Sequence, residues 1–215
     1  LAFAFADCEQ LIEVEGHDKL KKIERSAFYR RRRLRRLTKM GGVIEIEPHA
    51  FDGCHTLSDL ELFEKLEIIG GFAFNFCGAL RSINMPSIRR VGVGAFQSCD
   101  ALTDAALGKV LERIERAAFN VCATLRRLVV PLKGNLVFDE HAFTLCENLS
   151  RVDVLDGGIH KTISSLHLKT WRNEMKEEID RINQTLPGIS GMGKHIVIRE
   201  WITRVLQRIE HYKTE

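Results

Sequence analysis

The sequence predicts a solenoid of stacked repeats followed by a pair of helices, and three observations support this. The pair Ala-Phe recurs seven times, at steps of 22 to 24 residues. A Cys stands three residues after the Phe in six copies, and a Leu stands six residues after it in all seven. Beyond Val154 this period is lost, and apolar residues recur at spacings of three and four instead. Residue types that recur at one fixed interval indicate a repeat array. Apolar residues at spacings of three and four indicate amphipathic helices. The seven Phe residues are Phe5, Phe28, Phe51, Phe74, Phe96, Phe119 and Phe143.

Each copy predicts one β-strand whose alternate side chains face the core. Positions are counted from the Phe of the copy, and apolar residues recur at +9 and +11, as at Ile83 and Met85. A period of two indicates a strand with one face inward. Pro86 and Pro131 follow two of these strands. A strand can end there because proline has no backbone N–H to donate to a neighbouring strand. The rest of the copy turns back through a bend or a short helical turn. One copy cannot close a core alone, so neighbouring copies share one.

The repeat carries a family resemblance. The pattern Ile-x-x-x-Ala-Phe-x-x-Cys-x-x-Leu-x-x-Ile-x-Ile-Pro is matched most fully from Ile69 to Pro86, with Met85 at the last apolar position. It resembles the treponema-type, BspA-like leucine-rich repeats, which occur in bacterial surface proteins and in repeat proteins of protists and diatoms. The resemblance implies a right-handed leucine-rich repeat solenoid with a parallel β-sheet on one face and turns or short helical segments on the other. It also implies protein recognition as the usual role.

Two segments follow from these patterns. We expect residues 1–156 to form the solenoid, with about seven repeats, and residues 157–215 to form an α-helical hairpin. Gly157-Gly158 marks the boundary between them. Because the first Ala-Phe pair comes almost directly after Leu1, we expect the array to be truncated at its N-terminus.

The second segment predicts two antiparallel helices joined by a short loop. Ser164 or Ser165 can cap the first helix, Pro187-Gly188 ends it, and a loop passes through Gly191 and Gly193. The pair either caps the array or exposes its seam for a partner helix or for self-association, and the sequence leaves both readings open. The apolar stripes are Leu168, Trp171, Met175, Ile179, Ile182 and Leu186 in the first helix, and Ile198, Trp201, Ile202, Val205, Ile209 and Tyr212 in the second.

Composition restricts the class of protein. With 45% hydrophobic and 28% charged residues, the chain can bury a core. The net charge of +3 is too small to indicate a nucleic-acid or membrane partner by itself. No stretch approaches the roughly 20 apolar residues of a membrane span, so none is expected. A cytoplasmic location with reduced thiols and a cell-surface location both remain open.

The cysteines occupy one repeated position, which predicts a column of buried free thiols. Neighbouring members of such a column lie about 5 Å apart, but parallel side chains have poor geometry for bridging. No Cys-x-x-Cys pair is present, so we expect no metal site. The six residues are Cys8, Cys54, Cys77, Cys99, Cys122 and Cys146.

If +9 and +11 face inward, +8 and +10 form an exposed strand face. This face carries six acids and three bases, a mixed surface that disfavours nucleic acid and favours a protein partner, whose identity the sequence does not give. The predicted binding residues are Arg36, Asp59, Glu61, Asn84, Asp104, Arg127, Arg151 and Asp153.

A basic run in the second copy is the strongest local departure from the pattern. Leu34 and Leu37 keep the repeat spacing through it, which favours arginines displayed on the surface of one turn. Contact with an acidic protein or another polyanion is the alternative. Arg31 takes the Cys position, where a charge must reach solvent or cost several kcal/mol. The run consists of Arg30, Arg31, Arg32, Arg33, Arg35 and Arg36.

The sequence offers no pattern typical of a catalytic site. The eight His residues are scattered, and the glycine-rich segment from Gly188 to Lys194 lacks P-loop spacing. We therefore expect a non-catalytic interaction scaffold without a cofactor. The alternative is a structural or adhesive surface protein in which the array serves mainly as a spacer.

Overall fold

The computed structural model describes residue 8 and residues 10–60, 63–155 and 168–214. Several expectations lie outside these residues: the first Ala-Phe pair, Glu61, the Gly157-Gly158 boundary and the capping serines. The same holds for the side chains of Leu168 and Tyr212 in the two helices.

Each turn of the array contributes one strand to the predicted sheet and one two-residue strand to the opposite side. The odd-numbered strands carry the strand face, and the even-numbered strands form what we call the back ladder. The former are β1 Glu13–Glu15, β3 Arg36–Thr38, β5 Asp59–Leu60, β7 Ser82–Met85, β9 Asp104–Leu107, β11 Arg127–Pro131 and β13 Arg151–Leu155. The latter are β2 Lys22–Ile23, β4 Glu45–Ile46, β6 Ile68–Ile69, β8 Arg90–Val91, β10 Arg113–Ile114 and β12 Val137–Phe138.

The strands pair in parallel with strands one turn away, and among the described residues no pairing joins β5 to β7. The orders are β1-β3-β5 and β7-β9-β11-β13 on the strand face, and β2-β4-β6-β8-β10-β12 in the back ladder. The predicted fold class is confirmed, and the back ladder is an addition that the sequence did not indicate. Pro86 follows β7 as expected, whereas Pro131 is the last residue of β11 and pairs with Leu155. A proline is tolerated there because the strand ends at that residue.

The core is built around a stack of Phe rings. Neighbouring rings from Phe28 to Phe143 lie with centroids 5.1 to 5.6 Å apart and planes within 13° of each other. From Phe51 onward these rings are fully buried. The Ala before each ring is also buried, which lets consecutive turns approach closely. The Phe rings of neighbouring turns therefore pack directly against each other along the array.

Five of the cysteines form the predicted buried column, and the structure adds a hydrogen-bonding role. Each Sγ donates to the carbonyl of the Phe in the preceding turn, as Cys99 does to Phe74 at 3.2 Å. Cys54, Cys77, Cys122 and Cys146 repeat this contact. All six thiols are free, but Cys8 is exposed, so the prediction is wrong for the first copy.

We expect one of the six thiols to react in the native protein. Burial raises the pKa of Cys54 to about 12 and that of Cys77 well above its usual value, so neither is a thiolate near neutral pH. Titration with an aromatic disulfide reagent should give rapid labelling at Cys8 alone, and all six thiols should react in denaturant. Rapid labelling of a second thiol in the folded chain would contradict the buried column.

The turns around each Ala-Phe pair depend on left-handed backbone at two positions, −2 and +2. There the N–H groups point to the next turn, as in His49 to the carbonyl of Gly71 and Phe76 to that of Gln97. These bonds offset the cost of a positive φ in residues other than glycine. At these two positions, the residues with positive φ are Ser26, His49, Phe72, Gly94, Ala117 and His141 at −2, and Arg30, Gly53, Phe76, Ser98, Val121 and Leu145 at +2.

The two predicted helices are present. Helix α1 spans Leu168–Thr185, a 3₁₀ turn follows at Leu186–Gly188, and α2 spans Gly191–Thr214. The predicted loop through Gly191 and Gly193 is wrong, since both residues lie in the first turn of α2. A Cβ on Gly191 would lie 2.6 Å from the amide nitrogen of Leu145, so glycine lets α2 begin directly against the last turn of the array.

Candidate functional site

The strand face alternates between buried and exposed side chains as predicted. In β7, Ile83 and Met85 are buried whereas Ser82 and Asn84 are exposed. Asp104 in β9 is half-buried, and its carboxylate accepts a hydrogen bond from the hydroxyl of Thr103 at 2.7 Å. Parallel pairing places Ser82 beside Asp104 and Asn84 beside Ala106. The middle of the face is therefore polar and lightly charged.

Ion pairs, two of them between neighbouring turns, hold the predicted binding residues nearer the two ends. Asp153 accepts hydrogen bonds from Nε of Arg127 at 2.6 Å and from Nε of Arg151 at 3.1 Å. In the second and third turns, Arg36 lies 3.6 Å from Asp59. The side chains of these arginines are 43% to 62% exposed, so the pairs contribute little to stability. Their consequence is to fix the positions of charges on the face.

Val129 is an exception to the alternation. It occupies an outward position, yet it is 7% exposed. It pairs with Ala106 on one side and Asp153 on the other. The ion pairs of Asp153 run beside it, and we attribute its burial to the aliphatic parts of Arg127 and Arg151. The predicted exposure of this position is therefore wrong.

A recess interrupts the middle of the face. It has a volume of about 180 Å³ and is lined by residues on either side of the junction between β5 and β7. Phe63 and Met85 give it an apolar floor, and Ser82 and Asn84 supply polar groups. The recess lies between the Arg36–Asp59 pair and Asp104. The lining residues are Leu60, Phe63, Ser82, Ile83, Asn84 and Met85.

The basic run does not form one patch. Arg30 lies over the ring of Tyr29 at 5.0 Å, and Arg33 donates to the amide oxygen of Gln10. Arg32 and Arg35 are exposed, and Arg36 belongs to the strand face. The run thus passes from a turn of the array to the start of β3, with its side chains engaged at different places.

Arg31 is half-buried in the position that holds Cys in the other described turns. Its Nε donates to the carbonyl of Tyr29 at 3.0 Å. Its Nη1 is buried and has no hydrogen-bond partner among the described residues. The side chain therefore reaches partly out of the core, as expected for a charge in this position.

The helical hairpin packs directly on the last turn of the array. Asn183 accepts a hydrogen bond from the backbone N–H of Val152 at 2.7 Å. Lys194 is fully buried, and its ammonium donates to the carbonyls of Leu149 at 2.9 Å and Leu186 at 2.8 Å. Burial lowers the pKa of Lys194, and the nearby Glu147 carboxylate opposes that shift. The hairpin thus binds the N–H of Val152 and the carbonyl of Leu149, which a further turn of the array could otherwise pair with.

A second buried polar group joins the two helices. Glu178 is 3% exposed and accepts hydrogen bonds from Arg181 and Arg208, both at 2.6 Å. Trp201 donates from its indole to the Glu178 carbonyl at 3.1 Å. The sequence showed the Trp stripe but not these polar contacts, because Glu178 and Lys194 look like ordinary surface residues in an amphipathic helix.

Residues 2–102 and 86–168 match the sequence profile described as the BspA type leucine rich repeat region, in six copies. Together these ranges span more than half of the chain. The chain belongs to the BspA-type leucine-rich repeat family. The resemblance inferred from the sequence is thereby confirmed. No curated protein matches the BspA-type chain.

Solved structures of bacterial leucine-rich repeat proteins share the fold. A leucine-rich cell surface protein of Faecalibacterium prausnitzii is 28% identical with a TM-score of 0.61, over 67% of this chain and 39% of that one. The T. pallidum leucine-rich repeat protein is 28% identical with a TM-score of 0.56, over 65% of this chain and 78% of that one. A leucine-rich repeat protein of Eubacterium ventriosum, 21% identical with a TM-score of 0.57, supports the fold alone. The BspA-type chain thus matches about two-fifths of the F. prausnitzii protein.

Among the residues that the structure describes, no helix combines the length and apolar character needed to cross a bilayer. Within the same residues, no group of three or more His, Cys, Asp or Glu side chains is arranged to hold a metal ion.

Proposed function

We propose that this chain is a non-catalytic recognition module that binds a protein partner through its strand face. The observation that carries the proposal is the arrangement of that face. Fixed charges at Arg36, Asp59, Arg127 and Asp153 lie on either side of a recess with an apolar floor. Charges already held in place cost less entropy to order on binding. A mixed pattern of charges also selects a complementary protein surface.

The family supports the coarser part of this proposal. Leucine-rich repeats of this type are typical of surface and interaction proteins, and the F. prausnitzii relative is described as a cell surface protein. Repetition explains the buried cysteines through packing and hydrogen bonding, so they are poor candidates for nucleophiles. A non-catalytic role agrees with both points.

A spacer role in a structural or adhesive surface protein is the second candidate. It is favoured by the continuous Phe stack, which makes the described array a single extended core. The two candidates differ in whether the strand face matters for binding. A spacer tolerates any change of surface charge that leaves the fold intact.

The test is affinity capture from source-cell extract with a variant of the strand face. Asp59→Lys, Glu61→Lys and Asp104→Lys together should weaken binding of a captured protein by roughly 100-fold, because like charges across an interface cost several kcal/mol. The matched control carries Glu177→Lys, Asp180→Lys and Glu200→Lys, the same charge change at three exposed helical positions. Nuclease-treated and untreated extracts are compared.

Capture of one protein by the wild type and the control, but not by the strand-face variant, supports the proposal. Equal capture by all three chains would remove the strand face as the site and favour the spacer. Retention that disappears after nuclease treatment would move the site to Arg30–Arg36.

A further inference from the structure

An alternating row of Arg and hydroxyl side chains runs along the array at position +7, one residue before the start of the strand face. Arginine occupies every second turn, and Ser or Thr occupies the turns between. We call these six residues the arginine row. They are Arg35, Ser58, Arg81, Thr103, Arg126 and Ser150.

Backbone hydrogen bonds between turns hold the arginine row in line. The N–H of Ser58 donates to the carbonyl of Arg35 at 3.1 Å, and that of Thr103 to Arg81 at 2.8 Å. Arg126 donates in the same way to Thr103 at 2.9 Å. Because hydrogen-bonded parallel strands lie about 4.8 Å apart, Arg81 and Arg126 lie about 10 Å apart. No such bond joins Ser58 to Arg81, but the Phe rings of the turns from Arg35 to Arg81 are spaced by 5.1 Å per turn, which gives a similar separation.

Two arginines of the row, Arg35 and Arg126, are each followed in sequence by an arginine of the strand face, and the two kinds differ in their ion pairing. Arg36 and Arg127 form ion pairs with Asp59 and Asp153 on the strand face. Arg35, Arg81 and Arg126 are exposed, and the residues that the structure describes provide no ion pair for them. The short Ser and Thr side chains leave the space between successive guanidinium groups open. The row therefore presents three evenly spaced cations whose charges are not neutralised locally.

We propose that the arginine row binds an extended acidic polypeptide that crosses the strands with a carboxylate at every third residue. An extended chain advances about 3.3 Å per residue, so residues i and i+3 lie about 10 Å apart and match the spacing of the row. The planar guanidinium group is suited to bidentate pairing with a carboxylate. Each Arg of the row meets one acidic side chain, and the intervening peptide residues pass over Ser or Thr.

The geometry argues against a nucleic acid on the same row. A duplex carries one phosphate per strand for each 3.4 Å or so of its axis, a much denser charge than one cation per 10 Å. Asp59 and Asp104 follow two of the hydroxyl residues directly and would repel a continuous phosphate backbone. An acidic peptide with wider spacing matches the charge density of the row, and Asp59 and Asp104 repel it less because its carboxylates lie over the arginine turns.

This inference goes beyond the proposed function: it assigns a ligand to a second surface beside the strand face, so the two can fail separately. The strand-face variant with Asp59→Lys, Glu61→Lys and Asp104→Lys keeps the arginine row intact. It should bind an acidic peptide at least as tightly as the wild type, since repulsive charges next to the row are removed. The same variant loses the partner of the proposed function.

The test is fluorescence anisotropy with a labelled peptide of Glu-Ser-Ala repeated four times, at low salt. The row variant carries Arg35→Gln, Arg81→Gln and Arg126→Gln. Loss of three exposed charge pairs should weaken binding by about tenfold or more. The matched control carries Arg25→Gln, Arg116→Gln and Arg204→Gln, which remove three exposed arginines elsewhere and should change the affinity less than about twofold. Thermal unfolding checks that both variants fold.

A second peptide with the same composition but contiguous glutamates tests the spacing and should bind more weakly than the spaced peptide. The proposal is overturned by equal weakening in the row and control variants, by equal binding of the two peptides, or by no binding of the spaced peptide to the wild type. Tighter binding of a single-stranded oligonucleotide, lost in the row variant, would overturn it in favour of a nucleic-acid site.

Discussion

Phe96→Ala is expected to lower the free energy of unfolding by about 3–5 kcal/mol. Phe96 is fully buried, and its ring lies 5.3 Å from both Phe74 and Phe119. Removing it leaves a cavity that two other rings border. The cavity cannot close easily, because backbone hydrogen bonds between turns fix the distance from one turn to the next. The loss should therefore lie near the upper end for a Phe truncation.

Urea unfolding followed by circular dichroism measures this loss. Phe76→Ala is the matched control, since Phe76 is 47% exposed and its removal should cost less than about 1 kcal/mol. Equal losses for Phe96 and Phe76 would show that the stack does not determine stability.

Gly108→Ala is expected to destabilise the array by about 3 kcal/mol or more. A Cβ at this position would lie 1.7 Å from the carbonyl oxygen of Pro86 and 2.2 Å from its carbonyl carbon. Both atoms belong to the backbone of the neighbouring turn, so no flexible side chain can move aside. The N–H of Gly108 also donates to Met85 at 3.0 Å, which holds the two turns together. The turns must separate to admit the methyl group.

Gly78→Ala provides the control for Gly108→Ala. A Cβ on Gly78 meets nothing within 4 Å, so alanine should raise the stability by about 0.4–1 kcal/mol through a more restricted unfolded chain. Thermal unfolding should therefore move in opposite directions for the two variants. A wild-type melting temperature for Gly108→Ala would show that the turns are farther apart than described.

The repeated positions could be recognised in the sequence because each of them requires one residue type for one structural reason. The ring at Phe74, the small Ala73 and the thiol of Cys77 each recur at the same place in the stack, so one alignment revealed all of them. Alternation along the strand likewise predicted that Asn84 is exposed and Met85 buried. The strand face was therefore predictable from the sequence, apart from the buried Val129.

Other features left no such signal. The left-handed position at +2 is filled by residues as different as Gly53, Phe76 and Val121, because the requirement is met by the backbone bond to the next turn. The two-residue strands of the back ladder are too short for alternation to be visible. Lys194 lies in a helix whose pattern says nothing about the distant carbonyl of Leu149. Contacts that depend on docking, such as this one, need the tertiary structure.

The hairpin has a consequence for how several copies of this chain behave when crowded together. A parallel sheet whose last strand is unpaired is a template for another chain, and head-to-tail addition of arrays would grow an open fibre. Here the N–H of Val152 in the last strand is taken by Asn183, and the carbonyl of Leu149 is taken by Lys194. We therefore expect the hairpin to oppose polymerisation through this edge, so that closely spaced copies stay separate there.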